Sequence, residues 1–132
     1  VCELLSGKRS VRYMPRGQHI GDDPFNRWVK PSCMLICEDN YSNAHGTPWL
    51  YHELGIGKLV GAPVPGTMTA VWWETVGSYV FGIPQVGSLD NRDQFLENQQ
   101  LEPDIECYLS PTDLINGKDT QIEQAVKLML NK

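Results

Sequence analysis

The chain has no long hydrophobic run, no Lys/Arg cluster, no Cys-X-X-Cys pair and no histidine pair at ligand spacing. Each absence removes a class of function. The uninterrupted apolar stretches are a handful of residues, far short of the ~20 that a membrane-spanning helix requires. Eleven basic against sixteen acidic side chains give a net charge of −5, a poor surface for a polyanion. No membrane span and no nucleic-acid partner is expected. The four cysteines, Cys2, Cys33, Cys37 and Cys107, permit two disulfides. Cys33 and Cys37 in one strand would stand ~13 Å apart, too far to bridge, so buried free thiols are expected. Zinc lacks its ligand pattern, and Asp22-Asp23 lacks the spacing of a calcium loop. No metal and no cofactor is expected. No basic segment leading into an apolar stretch and cleavage site is visible in these residues.

What is present suits one domain or less. The 132 residues are 41% hydrophobic and 20% charged, enough for a core and unlike a disordered tail. Residues 10–31, with Pro15, Gly17, Gly21, Asp22-Asp23-Pro24 and Pro31, read as a long surface loop. Cys33-Met34-Leu35-Ile36-Cys37 reads as a strand buried on both faces, as in a parallel sheet. A helix follows to about Leu54, with Gly55 at its C-terminal cap and Pro48 best suited to its first turn. Lys58–Gly61 and Thr67–Trp73 read as strands, and Ser78–Phe81 as a hairpin partner across residues 74–77. Of Trp72 and Trp73, on opposite faces, one is expected in the core. Pro103–Cys107 reads as a last short strand. Thr120 and Glu123 form a capping-box signature, with Ile122, Ala125, Val126 and Met129 on one helical face. The pattern predicts an α/β layer architecture.

Ser42 falls where the apolar strand hands over to the helix. A hydroxyl there stands at a sheet edge near the positive helix end, and the Asn43 amide reaches into the same space. Ser42 as a plain helix cap is the common alternative, favoured by spacing alone because no Gly-X-Ser-X-Gly elbow surrounds it. His45, three residues on, His52 and His19 read as surface or packing histidines.

Three blocks add to this. The segment Asn40-Tyr41-Ser42-Asn43-Ala44-His45 with Pro48 and Glu53-Leu54-Gly55-Ile56-Gly57-Lys58-Leu59-Val60-Gly61 comes first. Leu96-Glu97-Asn98 with Pro103-Asp104-Ile105-Glu106, then Asn116-Gly117-Lys118-Asp119-Thr120-Gln121-Ile122, follow in order. Together they resemble the C-terminal processing peptidase/tricorn protease family, from about residue 33 to the C-terminus. The resemblance implies an α/β fold, a partial αβ sandwich of the Clp-protease/crotonase-like kind with mixed sheet and C-terminal helix. Residues 1–132 would be the C-terminal part of the catalytic domain, with upstream catalytic and any PDZ-type regions outside it. Ser42 matches the nucleophile and Asn43 the following oxyanion donor, where many tricorn-like relatives carry Asp. Glu97 matches the relay carboxylate, and Gly66 and Thr67 precede a strand suited to peptide pairing. Lys58 reads as a strand-edge residue rather than a dyad base. The general-base His and second oxyanion donor are implied upstream.

The implied activity is serine endopeptidase hydrolysis through Ser42 in the full-length protein, with the fragment alone inactive. Its partner would be a peptide or protein substrate. A non-catalytic peptide-binding or assembly domain on the same scaffold is the alternative. An uncovered sheet edge implies a homo-oligomer of the fragment. Relatives work in the bacterial envelope and in the cytoplasm, so the resemblance selects no compartment.

Overall fold

A computed structural model describes residues 1–130. Its organising unit is a three-stranded parallel sheet of order β3-β4-β7, from Cys33–Ile36, Lys58–Gly61 and Ile105–Glu106. Two antiparallel pairs stand apart from it: β1 (Val11–Tyr13) with β2 (Gly21–Asp23), and β5 (Ala70–Val76) with β6 (Tyr79–Val86). The helices are α1 (Cys2–Leu5), α2 (Asn43–Glu53), α3 (Pro111–Ile115) and α4 (Thr120–Leu130). The α/β class and the C-terminal helix are as expected, with parallel and antiparallel pairing in separate sheets. Among the described residues no helix is long and apolar enough to cross a membrane.

The β3–α2–β4 unit carries the core. α2 packs on β4 and on α1, while α4 packs on β3 and β4. Cys2, Ile36, Tyr51, Leu59, Val64 and Leu101 form the buried cluster, and the Tyr51 hydroxyl is matched by Ser32 Oγ at 2.7 Å. Pro48 sits inside α2 rather than in its first turn, and it lacks the N–H that would reach the Ala44 carbonyl. Asn40 Nδ2 donates to that carbonyl instead, at 3.0 Å, so a proline becomes tolerable in mid-helix.

Several expectations are corrected. Residues 10–31 are not a bare loop: local turn chemistry folds them into the β1–β2 hairpin around a short 3-10 turn at Pro15–Gly17. β3 is not buried on both faces, because Leu35 is exposed and only Ile36 is fully covered. The β5–β6 turn is tighter than expected, pairing Val76 with Tyr79 across Gly77-Ser78. Neither Trp72 nor Trp73 enters the core; both are exposed. At α4 the cap is Asp119, whose Oδ1 accepts the Ile122 N–H at 2.9 Å, while the Thr120 hydroxyl bonds the Tyr108 carbonyl. The helix turns Gln121 and Ala125 inward and leaves Ile122 and Val126 outside, because the Gln121 amide anchors to the Cys107 carbonyl.

Asp104 fastens the last strand to the sheet. Its Oδ2 accepts the Leu59 N–H at 2.8 Å and its Oδ1 meets Lys58 Nζ. Burial would raise its pKa, but the Lys58 ammonium and the Leu59 N–H outweigh that and hold it below the usual carboxylate range. Such a group adds stability above the unfolded pKa of about 4, and the contribution is lost as pH falls through the lower folded value. Asp104→Ala should cost about 1–3 kcal/mol at neutral pH by urea unfolding. The variant should also lose less stability than the parent between pH 5 and pH 2, roughly the window of carboxylate linkage.

Candidate active site

The turn after β3 is built to present Ser42. Asn40 N–H returns to the Cys37 carbonyl, and Asn40 Oδ1 accepts from Cys37 Sγ. Ser42 itself lies at φ 54°, ψ −123°, a backbone region that residues with a Cβ rarely occupy, at a cost of about 1–3 kcal/mol. It is the N-cap position of α2, yet its side chain makes no cap hydrogen bond. The capping role that spacing favoured is therefore not what the hydroxyl does. A strained serine on a strand-to-helix turn is instead the geometry that pushes a hydroxyl forward. The following residue, Asn43, opens the helix, where backbone N–H groups have no intrahelical acceptor and the dipole favours a negative charge.

A strap of four residues, 66–69, runs across this turn and is tied on both sides. Ser42 N–H donates to the Thr67 carbonyl at 2.6 Å, and Asn98 N–H to the Gly66 carbonyl at 2.8 Å. Glu97 Oε2 accepts the Met68 N–H at 2.6 Å and the Thr69 hydroxyl at 2.7 Å. These donors hold the half-buried Glu97 carboxyl below its ordinary range, with the Thr69 hydroxyl contributing most. Gly66 adopts φ 105° and lies so close to the Gln99 backbone that a Cβ would stand 2.7 Å from its carbonyl oxygen. A glycine is required there by that contact. The Thr67 N–H, on an exposed residue, has no partner among the described residues.

Ser42, Asn43, Glu97, Gly66 and Thr67 are thus brought to one place, bridged by the strap. The histidines are not brought to the hydroxyl. His19 bonds Asp22 at 2.8 Å, and His52 lies 4.0 Å from Asp104. His45 is fully buried below the strap, not at the surface. Met68 and Thr69, which hold the Glu97 carboxylate, carried no signal in the sequence. A cavity of about 400 Å³ opens beside Asn43, walled by Gly46, Trp49, Met68 and Leu96. A larger one, about 480 Å³, lies by Trp28–Ser32 and contains none of the site residues.

The model of peptidase family S41 matches residues 4–107. The chain belongs to peptidase family S41. The match begins well before residue 33 and so takes in the 10–31 segment. The tricorn protease of Thermoplasma acidophilum is 26% identical over the whole chain, which covers 13% of that protein. A Chlamydia pneumoniae protein is 31% identical over 81% of the chain and 18% of its own length. The crystal structure of the tricorn protease superposes with a TM-score of 0.78 at 25% identity, over 98% of this chain and 13% of that one. A putative peptidase from Parabacteroides merdae gives 0.66 at 21% identity, over 89% and 38%, a likeness of fold. The chain spans less than a fifth of the length of these curated relatives.

The backbone at Ser42 yields a stability signature. Ser42→Gly should stabilise the chain by about 1 kcal/mol through relief of the positive φ. Ser42→Ala should change it by only a few tenths, whereas a serine acting as cap would lose about 1 kcal/mol. Thermal or urea unfolding of both variants reads the difference.

Proposed function

We propose that this chain carries the nucleophile, one oxyanion donor and the relay carboxylate of a serine endopeptidase. The observation that carries this reading is the strained, uncapped Ser42 at the start of α2, with the Asn43 N–H beside it. Ser42 Oγ attacks the peptide carbonyl carbon while its proton passes to a base supplied by the rest of the full-length protein. The oxyanion is received by the Asn43 N–H. The proton then goes to the departing amine, and water releases the acyl group to regenerate Ser42. Glu97, held ionised by its donors, orients that base. The free Thr67 N–H offers a peptide one strand-like bond, and the cavity beside Asn43 takes an apolar side chain next to the scissile bond.

Because no histidine ring bonds the Ser42 hydroxyl among the described residues, the isolated 132-residue chain is expected to hydrolyse no peptide. In the full-length protein, Ser42→Ala should abolish both fluorophosphonate labelling and peptide hydrolysis. Hydrolysis that survives the substitution would favour a peptide-binding or assembly domain on a peptidase scaffold instead.

The isolated chain should also self-associate. Nine apolar side chains of the β5–β6 ribbon, Trp72 and Trp73 among them, are at least 40% exposed on its two faces. At ~150–250 Å² per aromatic they present on the order of 1,000 Å², above the ≈800 Å² per partner of a standard interface. Light scattering of the isolated chain should give a dimer or larger species, and Trp72→Glu with Trp73→Glu a monomer. A monomeric parent chain at micromolar concentration would contradict this.

A further inference from the structure

Among the described residues, one buried side chain has polar atoms without partners. His45 has no exposed surface, and neither Nδ1 nor Nε2 makes a hydrogen bond. It sits one helical turn beyond Ser42, whose carbonyl accepts the His45 backbone N–H at 2.9 Å. Burial pushes the pKa of its ring down, and the nearby Glu97 charge and Thr67 carbonyl pull it only part of the way back. The ring is therefore neutral, with one N–H to place. Leaving a buried donor unsatisfied costs about 1–3 kcal/mol, and a leucine or phenylalanine would fill the space without that cost.

Two acceptors lie close enough to bear on the ring's titration, the Glu97 carboxylate and the Thr67 carbonyl. Glu97 Oε2 already takes the Met68 N–H and the Thr69 hydroxyl. The Thr67 carbonyl takes one bond, from Ser42 N–H, and a carbonyl oxygen has two lone pairs. We propose that His45 is a positioning residue of the site, donating its ring N–H to the Thr67 carbonyl when the strap settles into its working arrangement. The Ser42 N–H and the His45 imidazole then converge on one oxygen from one helical turn. That fixes the strap against α2 and holds the strained Ser42 backbone in place.

The consequence for catalysis rests on the peptidase reading. Thr67 contributes the N–H with which a peptide would pair, so its carbonyl sets how far the scissile bond lies from Ser42 Oγ. A displacement of about 1 Å at such a contact is worth ~100-fold in rate.

The first test needs no activity. In histidine-ring NMR of the 132-residue chain, His45 should show a single neutral tautomer. Its ring N–H should exchange slowly and give a cross-relaxation peak to Thr67, and the neutral tautomer should persist below the ordinary histidine pKa of about 6.5. His45→Leu should reduce protection of the Ser42 N–H against exchange about tenfold, the equivalent of one hydrogen bond, and His45→Gln should restore most of it. A ring N–H exchanging freely with water, or unchanged Ser42 protection in His45→Leu, would overturn the proposal. Should the leucine variant not fold, the parent ring measurement and His45→Gln still decide. In the full-length protein, His45→Leu should slow fluorophosphonate labelling of Ser42 about tenfold or more, with rescue by glutamine. Equal labelling of parent and His45→Leu defeats the positioning role, whereas no labelling of any variant defeats the peptidase reading and leaves the exchange result standing.

Discussion

The bond from Ser42 N–H to the Thr67 carbonyl is the constraint on which the site depends. A serine at positive φ is unfavourable by itself, and nothing in its side chain compensates, since the hydroxyl caps no helix amide. The compensation is in the backbone. The Ser42 N–H is held by the strap, while its carbonyl accepts from His45 and Gly46 as α2 begins. A residue tied at both ends by main-chain bonds keeps its strained angles without help from the side chain. The hydroxyl is thereby left to chemistry.

The strap in turn depends on residues distant in sequence. Glu97 and Asn98 reach residues 66–69 from the turn after Leu96, and the Val64–Leu101 bridge brings the two segments together. Asp104, a few residues on, pins the following strand through the Leu59 amide. The block 96–106 is thus one structural element with two tasks, seating the strap and closing the sheet. Its Glu-Asn and Pro-Asp-Ile-Glu segments each fix a different neighbour of the β3–α2–β4 unit.

Much of this was legible from the residues. Apolar runs found β3 and β4, Gly55 found the end of α2, and the strand-to-helix handover singled out Ser42. Burial was read less well. A run such as Cys33–Cys37 has the composition of a strand covered on both faces, but the sheet has only three strands and leaves Leu35 exposed. One of Trp72 and Trp73 looks like core material, yet among the described residues no layer covers either face of the β5–β6 ribbon. Periodicity located α4 but misjudged its rotation. The hydrogen bond from Gln121 to the Cys107 carbonyl turns a polar residue inward, a long-range contact that no local pattern announces. The partners of Glu97 were invisible for the same reason, being fixed by how two loops meet.

His45 is the sharpest case of a residue whose type gave no clue to its setting. A histidine three positions after a serine invites thought of a base, and its place on the helix reads as surface or packing. Burial selects packing. Hydrogen-bond donors depress the pKa of the Glu97 carboxyl, with the Thr69 hydroxyl foremost, whereas burial is what leaves the imidazole uncharged against the pull of that carboxylate. Near neutral pH the pair is a carboxylate beside a neutral ring, not an ion pair, and the ring donates through one nitrogen only, the other being an acceptor. A permanent cation at this position would compete with the Met68 and Thr69 donors for Glu97 and pull the carboxylate away from the strap. Neutrality lets His45 and Glu97 hold neighbouring atoms of the same four residues without competing for them.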